Sequence, residues 1–185
     1  QLHEYPKPWA TTGARGRKHN VVNSLWIDPD VLEALNLRIQ AKYARAQAEE
    51  VRSSEYMTDD AELVLVAYGC PARICRTAVD LAREEGMAVG LFRPITLFPF
   101  PVGQIANLAK AGKMFLAVEM SHGQMVEDVR LAVNGVSEVA FHGRSGGIVP
   151  TPTEILNQVR ARFGKPPVIS NFPGSSDSAG KEGRI

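Results

Sequence analysis

Charged side chains lie near the ends of several apolar stretches, where parallel strands of an α/β protein would bring them together. Glu119 lies at the end of one such stretch. Its candidate partners each lie near the end of another stretch: Arg73, Arg93 and Arg144. A carboxylate at such a position costs free energy unless it is paired or solvated. The pattern therefore makes these arginines the candidate partners of Glu119, with a solvated carboxylate as the alternative.

Other signs of chemistry are absent from the sequence. No set of nucleophile, base and acid stands out, no spacing is typical of a metal site, and Gly-x-Gly-x-x-Gly does not follow the first strand. His122 stands at a predicted helix start, where the helix dipole disfavours its protonated form. An ordinary surface histidine is nevertheless the interpretation that the sequence favours. The residues alone indicate no catalytic residue and no metal site, and they leave the cofactor-binding residues unknown.

Two motifs have the spacing of helix capping boxes. Ser121 stands three residues before Gln124, and Thr151 stands three residues before Glu154, with Pro152 at the first helical position. In this motif the hydroxyl accepts from a backbone N–H of the first turn, and the later side chain accepts from the N–H of the cap residue. The sequence therefore assigns Ser121 and Gln124 to capping rather than to catalysis.

The chain has two cysteines, Cys70 and Cys75, which are too few for a disulfide framework and wrongly spaced for a metal site. The sequence favours reduced thiols that are buried or half-buried. A reactive thiol at Cys70 is the alternative, because this residue lies at a predicted helix N-terminus, where a thiolate is stabilised.

A basic segment with two glycines covers residues 13–19 and contains Arg15, Arg17 and Lys18. The cations and backbone N–H groups of such a loop can meet a phosphate or an acidic partner surface. The glycine spacing is not that of a Walker loop, and no Lys-Ser or Lys-Thr pair follows. A solvated connector is the interpretation that the sequence favours.

Strand-like and helix-like stretches alternate from residue 61 onward. Each helical pattern is closed by a glycine, as expected of a left-handed cap. The predicted strands cover 62–69, 87–94, 114–121 and 136–143, and the predicted helices cover 71–85, 101–111, 122–134 and 152–163. This order predicts a three-layer α/β/α fold around an open, mostly parallel sheet. In such sheets the functional residues lie beyond the carboxyl ends of the strands.

The residues before this repeat predict a different structure. Residues 1–28 look irregular, and Asp28-Pro29 then has the residue types that begin a long helix, reaching to about residue 53. The polar stretch 54–60 predicts a boundary. The expected domains are an irregular and helical extension over 1–60, an α/β domain over 61–164 and a C-terminal tail over 165–185.

The composition excludes several classes of partner. Of the 185 residues, 44% are hydrophobic, and 21 basic and 20 acidic side chains leave a net charge of +1. This balance leaves no excess of positive charge for binding nucleic acid, and no apolar stretch approaches the roughly 20 residues of a membrane span. The sequence predicts no nucleic-acid or membrane partner and a cytoplasmic location. Because the first residue is Gln rather than Met, a fragment of a longer polypeptide is expected.

Four stretches together resemble one protein family. They cover residues 67–73, 90–101, 118–125 and 146–155, and Arg-Pro-Ile-Thr-Leu-Phe-Pro-Phe-Pro in the second is the most specific run. The chain resembles the α subunit of 2-oxoacid:ferredoxin oxidoreductases, in its C-terminal, transketolase-C-terminal-like domain, over about residues 61–160. The lead-in before residue 28 looks more like the 2-oxoisovalerate members than the 2-oxoglutarate or pyruvate members.

The resemblance implies an enzyme complex that decarboxylates a 2-oxoacid on thiamine diphosphate and Mg²⁺ and delivers the acyl group to coenzyme A. Electrons pass through iron–sulfur clusters to ferredoxin. The implied partners are the rest of the α subunit, a β subunit, a ferredoxin-like subunit and ferredoxin itself. No cofactor is expected on this chain, since its two cysteines cannot supply the four ligands of a cluster. The fragment alone is expected to be inactive.

The resemblance gives the motif positions a structural or interface role rather than a catalytic one. These positions are Gly69, Arg73, Arg93, Pro94, Glu119, Gly123 and Gln124. The expected job of the chain is assembly of the α subunit and support of one wall of the active site. A stand-alone binder of a phosphate or coenzyme-A-like ligand, using the basic segment and the strand-end arginines, is the alternative. A domain of another thiamine enzyme, of transketolase or branched-chain dehydrogenase type, is a third hypothesis.

Overall fold

The computed structural model describes residues 6–168. The chain divides into two compact units, one up to Ala46 and the other from Gln47 onward. Most of the predicted C-terminal tail, from residue 169 to residue 185, lies outside the described residues.

The first unit holds an irregular segment and most of a long helix, α1 (Pro29–Glu49). This helix begins as the sequence predicts, because Oδ1 of Asp28 accepts hydrogen bonds from the backbone N–H groups of Asp30 (3.0 Å) and Val31 (3.2 Å). It ends at Glu49, earlier than predicted, and none of its residues is buried. No helix within residues 6–168 is long and apolar enough to cross a membrane.

Strands and helices alternate in the second unit. In chain order they are β1 (Ser53–Tyr56), β2 (Leu63–Val66), α2 (Gly69–Glu84), β3 (Val89–Pro94), α3 (Val102–Lys110), β4 (Met114–Glu119), α4 (Met125–Val133), β5 (Val139–Gly143) and α5 (Pro152–Arg162). The four predicted strand–helix pairs are all present, with ends that differ by a few residues. Every residue of β2, Leu-Val-Leu-Val, is buried, as expected of a central parallel strand.

The five strands form one sheet in the order β1-β3-β2-β4-β5. Strands β2 to β5 are parallel, and β1 runs antiparallel to β3 at one edge. The chain passes from β2 to its neighbour β3 and then returns to β4 on the other side of β2. A topological switch point therefore lies between β2 and β4, and the predicted open, mostly parallel sheet is confirmed.

Helices on both faces of the sheet enclose two hydrophobic cores. Helices α2 and α5 lie on one face, where Cys75 and Ile155 share a buried cluster with alternate strand residues such as Leu65. Helices α3 and α4 lie on the other face, where Ile105 shares a second cluster with the intervening residues, such as Val66. Successive strand residues point to opposite faces, which explains this division. The three-layer α/β/α architecture is confirmed.

Strand β1 was not expected from the sequence. It lies largely inside the polar stretch predicted as a boundary, yet its residues Ser53 to Tyr56 pair with Pro94 to Leu91 of β3. An edge strand needs backbone pairing and only partial cover, so its polar composition is no obstacle. The Tyr56 hydroxyl anchors it by donating to Oδ1 of Asp80 (2.7 Å). The sheet therefore includes residues before residue 61, where the α/β domain was expected to begin.

The connection between β1 and β2 is held against the sheet at its amino edge. The Arg83 guanidinium donates to both carboxylate oxygens of Asp60 (2.6 and 2.7 Å) and to the carbonyl of Met57 (2.8 Å). This bidentate contact lowers the pKa of Asp60. The backbone of Met57 passes so close to Gly90 of β3 that an alanine Cβ at that position would lie 2.5 Å from the Met57 oxygen. The chain can take this path only over a glycine.

Candidate functional site

The carboxyl ends of the four parallel strands meet at one edge of the sheet, called here the carboxyl edge. The connections at this edge cover residues 67–68, 95–101, 120–124 and 144–151. The switch point between β2 and β4 lies here, between the first turns of α2 and α4. Open α/β sheets bind their ligands at this place, so the carboxyl edge is the candidate site.

Glu119 ends β4 and is only 1% exposed. Its Oε2 accepts from the backbone N–H groups of Gln124 (3.1 Å) and Met125 (3.0 Å), and its Oε1 accepts from Val126 (2.9 Å). The Ser121 hydroxyl also donates to Oε2 (3.0 Å). The carboxylate therefore receives four hydrogen bonds, three of them from the start of α4.

Glu119 acts as the N-terminal cap of α4 although it lies on the preceding strand. The first N–H groups of a helix have no partner within the helix, and a carboxylate there also faces the positive end of the helix dipole. Gln124, which precedes the first helical residue, makes no side-chain cap of its own. An ionised carboxylate has about four acceptor positions, so four donors engage it fully. The role that this arrangement supports is structural: Glu119 holds the start of α4 in place.

Two sequence predictions about this connection are wrong. Among the described residues, Glu119 makes no ion pair with an arginine, and Arg144 reaches it only by donating its backbone N–H to the Glu119 carbonyl (3.0 Å). Ser121 and Gln124 form no capping box, because the Ser121 hydroxyl instead donates to Glu119 and accepts from the backbone N–H of Gly123 (3.2 Å). A charged acceptor within reach of the helix start forms stronger hydrogen bonds than a neutral side chain.

A second polar cluster ties the end of β5 to the start of α5. The Thr151–Glu154 capping box is present as predicted, with Thr151 Oγ1 accepting from the N–H of Glu154 (3.1 Å). Oε1 of Glu154 also contacts His142 Nε2 (2.9 Å) and accepts from Arg144 (3.0 Å). His142 lies at the end of a predicted strand, which was a signal, but its contact with Glu154 was not predicted from the sequence. The cluster fixes α5 on the sheet.

The other motif positions are spread along the carboxyl edge. Gly69 begins α2 with a φ of 60°, and Gly123 has a φ of 106°, both in the left-handed region that favours glycine. Pro94 is buried at the end of β3. Arg73 and Arg93 are exposed. The structure does not bring these two arginines to Glu119, and their interface role stays a prediction.

The two cysteines lie in different environments. Cys75 is buried on α2, as predicted, and burial raises the pKa of its thiol to about 12. Cys70 is exposed in the first turn of α2, so the expectation of two covered thiols is wrong for this residue. It precedes the first turn's buried positions, Pro71 and Ala72, which face the core instead.

We expect one thiol of the native chain to react with a disulfide reagent near pH 8 and the second to react only in denaturant. The thiolate is the nucleophile, and burial keeps Cys75 protonated and out of contact with the reagent. Counting titrated thiols before and after unfolding tests this. A Cys70→Ser variant is the control and should titrate no thiol when native. Equal reaction rates for both thiols in the native chain would contradict the assignment.

The basic segment, residues 13–19, is held by hydrogen bonds to nearby backbone carbonyls. Arg17 donates to the carbonyls of Lys18 (2.9 Å) and Ala10 (3.4 Å), and Asn20 donates to the Ala10 carbonyl as well (2.9 Å). These contacts favour the connector interpretation over a phosphate-binding loop. Within residues 6–168 no group of three His, Cys, Asp or Glu side chains is placed to hold a metal ion.

Comparison with known proteins identifies relatives for most of the chain. Residues 61–155 match the family model "Pyruvate:ferredoxin oxidoreductase core domain II". The chain is 48% identical over 158 residues to the ketoisovalerate oxidoreductase subunit VorB of Methanothermobacter thermautotrophicus, which covers 85% of this chain and 45% of that protein. It is 35% identical over 132 residues to the 2-oxoglutarate synthase subunit KorA of Methanothermobacter marburgensis, covering 71% and 35%. The chain thus spans less than half the length of these two relatives.

A solved structure has the same fold. It is a 2-oxoglutarate:ferredoxin oxidoreductase from Magnetococcus marinus with 2-oxoglutarate, coenzyme A and succinyl-CoA bound; its TM-score is 0.68 at 20% identity, covering 83% of this chain and 28% of that one. The resemblance inferred from the four sequence stretches is confirmed, and it is favoured over a stand-alone binder. The family model covers more than half of the 185 residues, and the chain therefore belongs to the pyruvate:ferredoxin oxidoreductase core domain II family.

Proposed function

We propose that this chain is the C-terminal domain of the α subunit of a 2-oxoacid:ferredoxin oxidoreductase that acts on a branched-chain 2-oxoacid. The complete enzyme would release CO₂ from the 2-oxoacid, form the acyl-CoA thioester and pass the electrons to ferredoxin. The observation that carries this proposal is the 48% identity to a ketoisovalerate oxidoreductase subunit over 85% of the chain. The 2-oxoglutarate synthase subunit, at 35%, is more distant.

Within that enzyme the domain serves assembly and supports the active site. The carboxylate best placed for chemistry, Glu119, is buried and fully engaged by four donors. Glu154 is likewise engaged by a helix start, a histidine and an arginine. Neither group is left to move a proton to or from a substrate. Their shared effect is to fix two helix N-termini at the carboxyl edge.

The cofactors of the reaction belong, in this proposal, to other parts of the enzyme. Thiamine diphosphate with Mg²⁺ would supply the electron sink for decarboxylation, and iron–sulfur clusters would carry the electrons. The residues of this chain do not fit a cluster, because a cluster needs four thiolates and the sequence has two cysteines, one of them buried and protonated. The proposed partners are the rest of the α subunit, a β subunit, a ferredoxin-like subunit and ferredoxin, in the cytoplasm.

The test is a ferredoxin-reduction assay on the complex purified from the complete reading frame and its neighbours. We expect reduction to depend on both 2-oxoacid and coenzyme A, with kcat/KM for 2-oxoisovalerate at least about tenfold above pyruvate and 2-oxoglutarate, a discrimination of about 1.4 kcal/mol. Omitting coenzyme A is the control for uncoupled oxidation. A preference for 2-oxoglutarate or pyruvate would overturn the substrate assignment, and a stable complex without activity would overturn the proposal.

A further inference from the structure

One side of α2 carries a row of charged side chains, called here the α2 row. Its members follow one another at intervals of three or four residues, so they share one side of the helix: Arg73, Arg76, Asp80 and Arg83. Helix α2 runs from the carboxyl edge to the opposite edge of the sheet, and β1 runs the same way because it is antiparallel to β3. The α2 row can therefore follow β1 along its whole length.

Three members of the α2 row are engaged with β1 or with the residues after it. The Arg76 guanidinium lies 4.3 Å from the centre of the Tyr56 ring, and Asp80 accepts from the Tyr56 hydroxyl (2.7 Å). Arg83 donates to the connection after β1, as described above. The fourth member, Arg73, lies nearest the carboxyl edge, and within residues 6–168 its guanidinium forms no hydrogen bond or ion pair.

The register of β1 and β3 places a second arginine at this end of the row. Tyr56 pairs with Leu91, and two residues nearer the carboxyl edge Ser54 pairs with Arg93. Paired residues of neighbouring strands, and residues two apart on one strand, share a face of the sheet. Leu91 packs in the core under α2, so Ser54 and Arg93 lie on the face that α2 covers. They are one strand repeat, roughly 6.6 Å, nearer the carboxyl edge than the Tyr56 pair.

Arg73 and Arg93 are therefore neighbours at one corner of the domain, called here the arginine pair. Arg73 is about 4.5 Å nearer the carboxyl edge than Arg76, which brings it to the level of Arg93. Both arginines are exposed, and among the described residues no carboxylate pairs with either guanidinium. Arg144 at the same edge is instead paired with Glu154 (3.0 Å). The connections of the carboxyl edge contain no Asp or Glu, so the arginine pair has two positive charges that the domain leaves unbalanced.

We propose that the arginine pair, with the Ser54 hydroxyl, binds a small phosphate dianion, either free phosphate or a phosphate monoester. A phosphate group carries close to two negative charges near pH 7, which balance two guanidinium groups, whereas one carboxylate balances only one. Each planar guanidinium donates to two phosphate oxygens, and a hydroxyl donates to a further one. The inference goes beyond the proposed function and depends on none of the residues that cap α4 and α5.

The experiment labels the arginines of the complete complex with phenylglyoxal and maps the labelled positions by mass spectrometry. We expect Arg73 and Arg93 to react in the absence of phosphate, and inorganic phosphate to slow the labelling of both at least about tenfold. Arg130 on α4 is the internal control, because it is exposed and paired with Glu127 (2.9 Å), and its labelling rate should stay within about twofold. Acetate at equal ionic strength should protect neither member of the arginine pair, since it is a monoanion.

The variant Arg93→Gln tests whether the two arginines act together. Removing one of the two cations should raise the phosphate concentration that half-protects Arg73 at least about tenfold. Lys110→Gln, which removes an exposed cation from the end of α3, is the matched control and should leave that concentration within about twofold of wild type. Thermal unfolding should show both variants folded, because both side chains are exposed.

The outcomes decide for or against the site. Phosphate protection of both arginines that Arg93→Gln loses and Lys110→Gln keeps supports it. Stronger protection by phenyl phosphate than by inorganic phosphate then makes a monoester the ligand, and equal or weaker protection makes it free phosphate. Labelling that phosphate leaves unchanged, or protection that acetate reproduces or that Arg130 shares, overturns the site.

An arginine pair that does not react even without phosphate also overturns the site, because another part of the assembled enzyme then already covers it. Ferredoxin reduction is not the readout of this experiment. A complex without activity would therefore overturn the proposed function and leave the phosphate site to be judged by the labelling alone.

Discussion

Replacing Glu119 by alanine should lower the free energy of unfolding by about 3 kcal/mol or more, because each buried polar group left unpaired costs about 1–3 kcal/mol. The change removes the acceptor of three backbone N–H groups, of which those of Met125 and Val126 belong to buried residues. It also leaves a cavity where a side chain 1% exposed had been. In a chain of this size we expect Tm to fall by about 10 °C.

The matched control is Gln124→Ala. A capping role for the Gln124 side chain would make this change cost about 1 kcal/mol, but the structure gives that side chain no cap contact and leaves it exposed. Its Tm should therefore stay within about 2 °C of wild type. Thermal unfolding of both variants measures the difference. A stable Glu119→Ala variant, or a larger loss for Gln124→Ala, would show that Glu119 does not hold α4.

Replacing Gly90 by alanine should destabilise the fold by about 3 kcal/mol, at the upper end of the range for overpacking. The new Cβ would lie 2.5 Å from the Met57 carbonyl oxygen and 2.9 Å from Cα of Thr58. Both are backbone atoms, and the Met57 carbonyl is held by the Arg83 guanidinium (2.8 Å), so neither can move as a flexible side chain would. The connection between β1 and β2 would have to leave the sheet.

Gly103→Ala is the control for this prediction. Gly103 lies in the first turn of α3 and is exposed, and a Cβ there would have no atom within 4 Å apart from its chain neighbours and the backbone of its own helix. Alanine there should be neutral or stabilise by up to about 1 kcal/mol, because it restricts the unfolded chain. Denaturant titration compares the two variants. If Gly90→Ala unfolds at the wild-type midpoint, the close passage of residues 57–58 over β3 is wrong.

Local sequence signals were enough to predict most of the fold. Strand β2 is apolar throughout and β4 is apolar up to its last residue, Glu119, which only a strand covered on both faces tolerates, and the helices between them end at glycines such as Gly86 and Gly112 with positive φ. Strand β1 could not be predicted in the same way. Its pairing with β3 depends on backbone hydrogen bonds at an edge, and Ser-Ser-Glu-Tyr carries no apolar alternation.

The sequence predicted which residues lie at the carboxyl edge but not the contacts that they make there. Glu119 was predicted to lie at a strand end and to need partners, and arginines were the candidates. Residue types alone do not show that a carboxylate can reach the backbone N–H groups at the start of the following helix. The Thr151–Glu154 box was predictable since both partners are local. The spacing of Ser121 and Gln124 is the same, and only the three-dimensional position of Glu119 decides between the two outcomes.

The most direct test of the account is the turnover of an assembled complex that carries Glu119→Gln. The amide keeps the size of the side chain and one acceptor oxygen, so the complex should form with a lowered Tm. Steady-state ferredoxin reduction, per mole of assembled complex and below that Tm, should give kcat within about twofold of wild type, because Glu119 holds a helix and touches no reacting atom. A complex of unchanged Tm whose kcat falls a hundredfold would contradict this account and make Glu119 a catalytic residue.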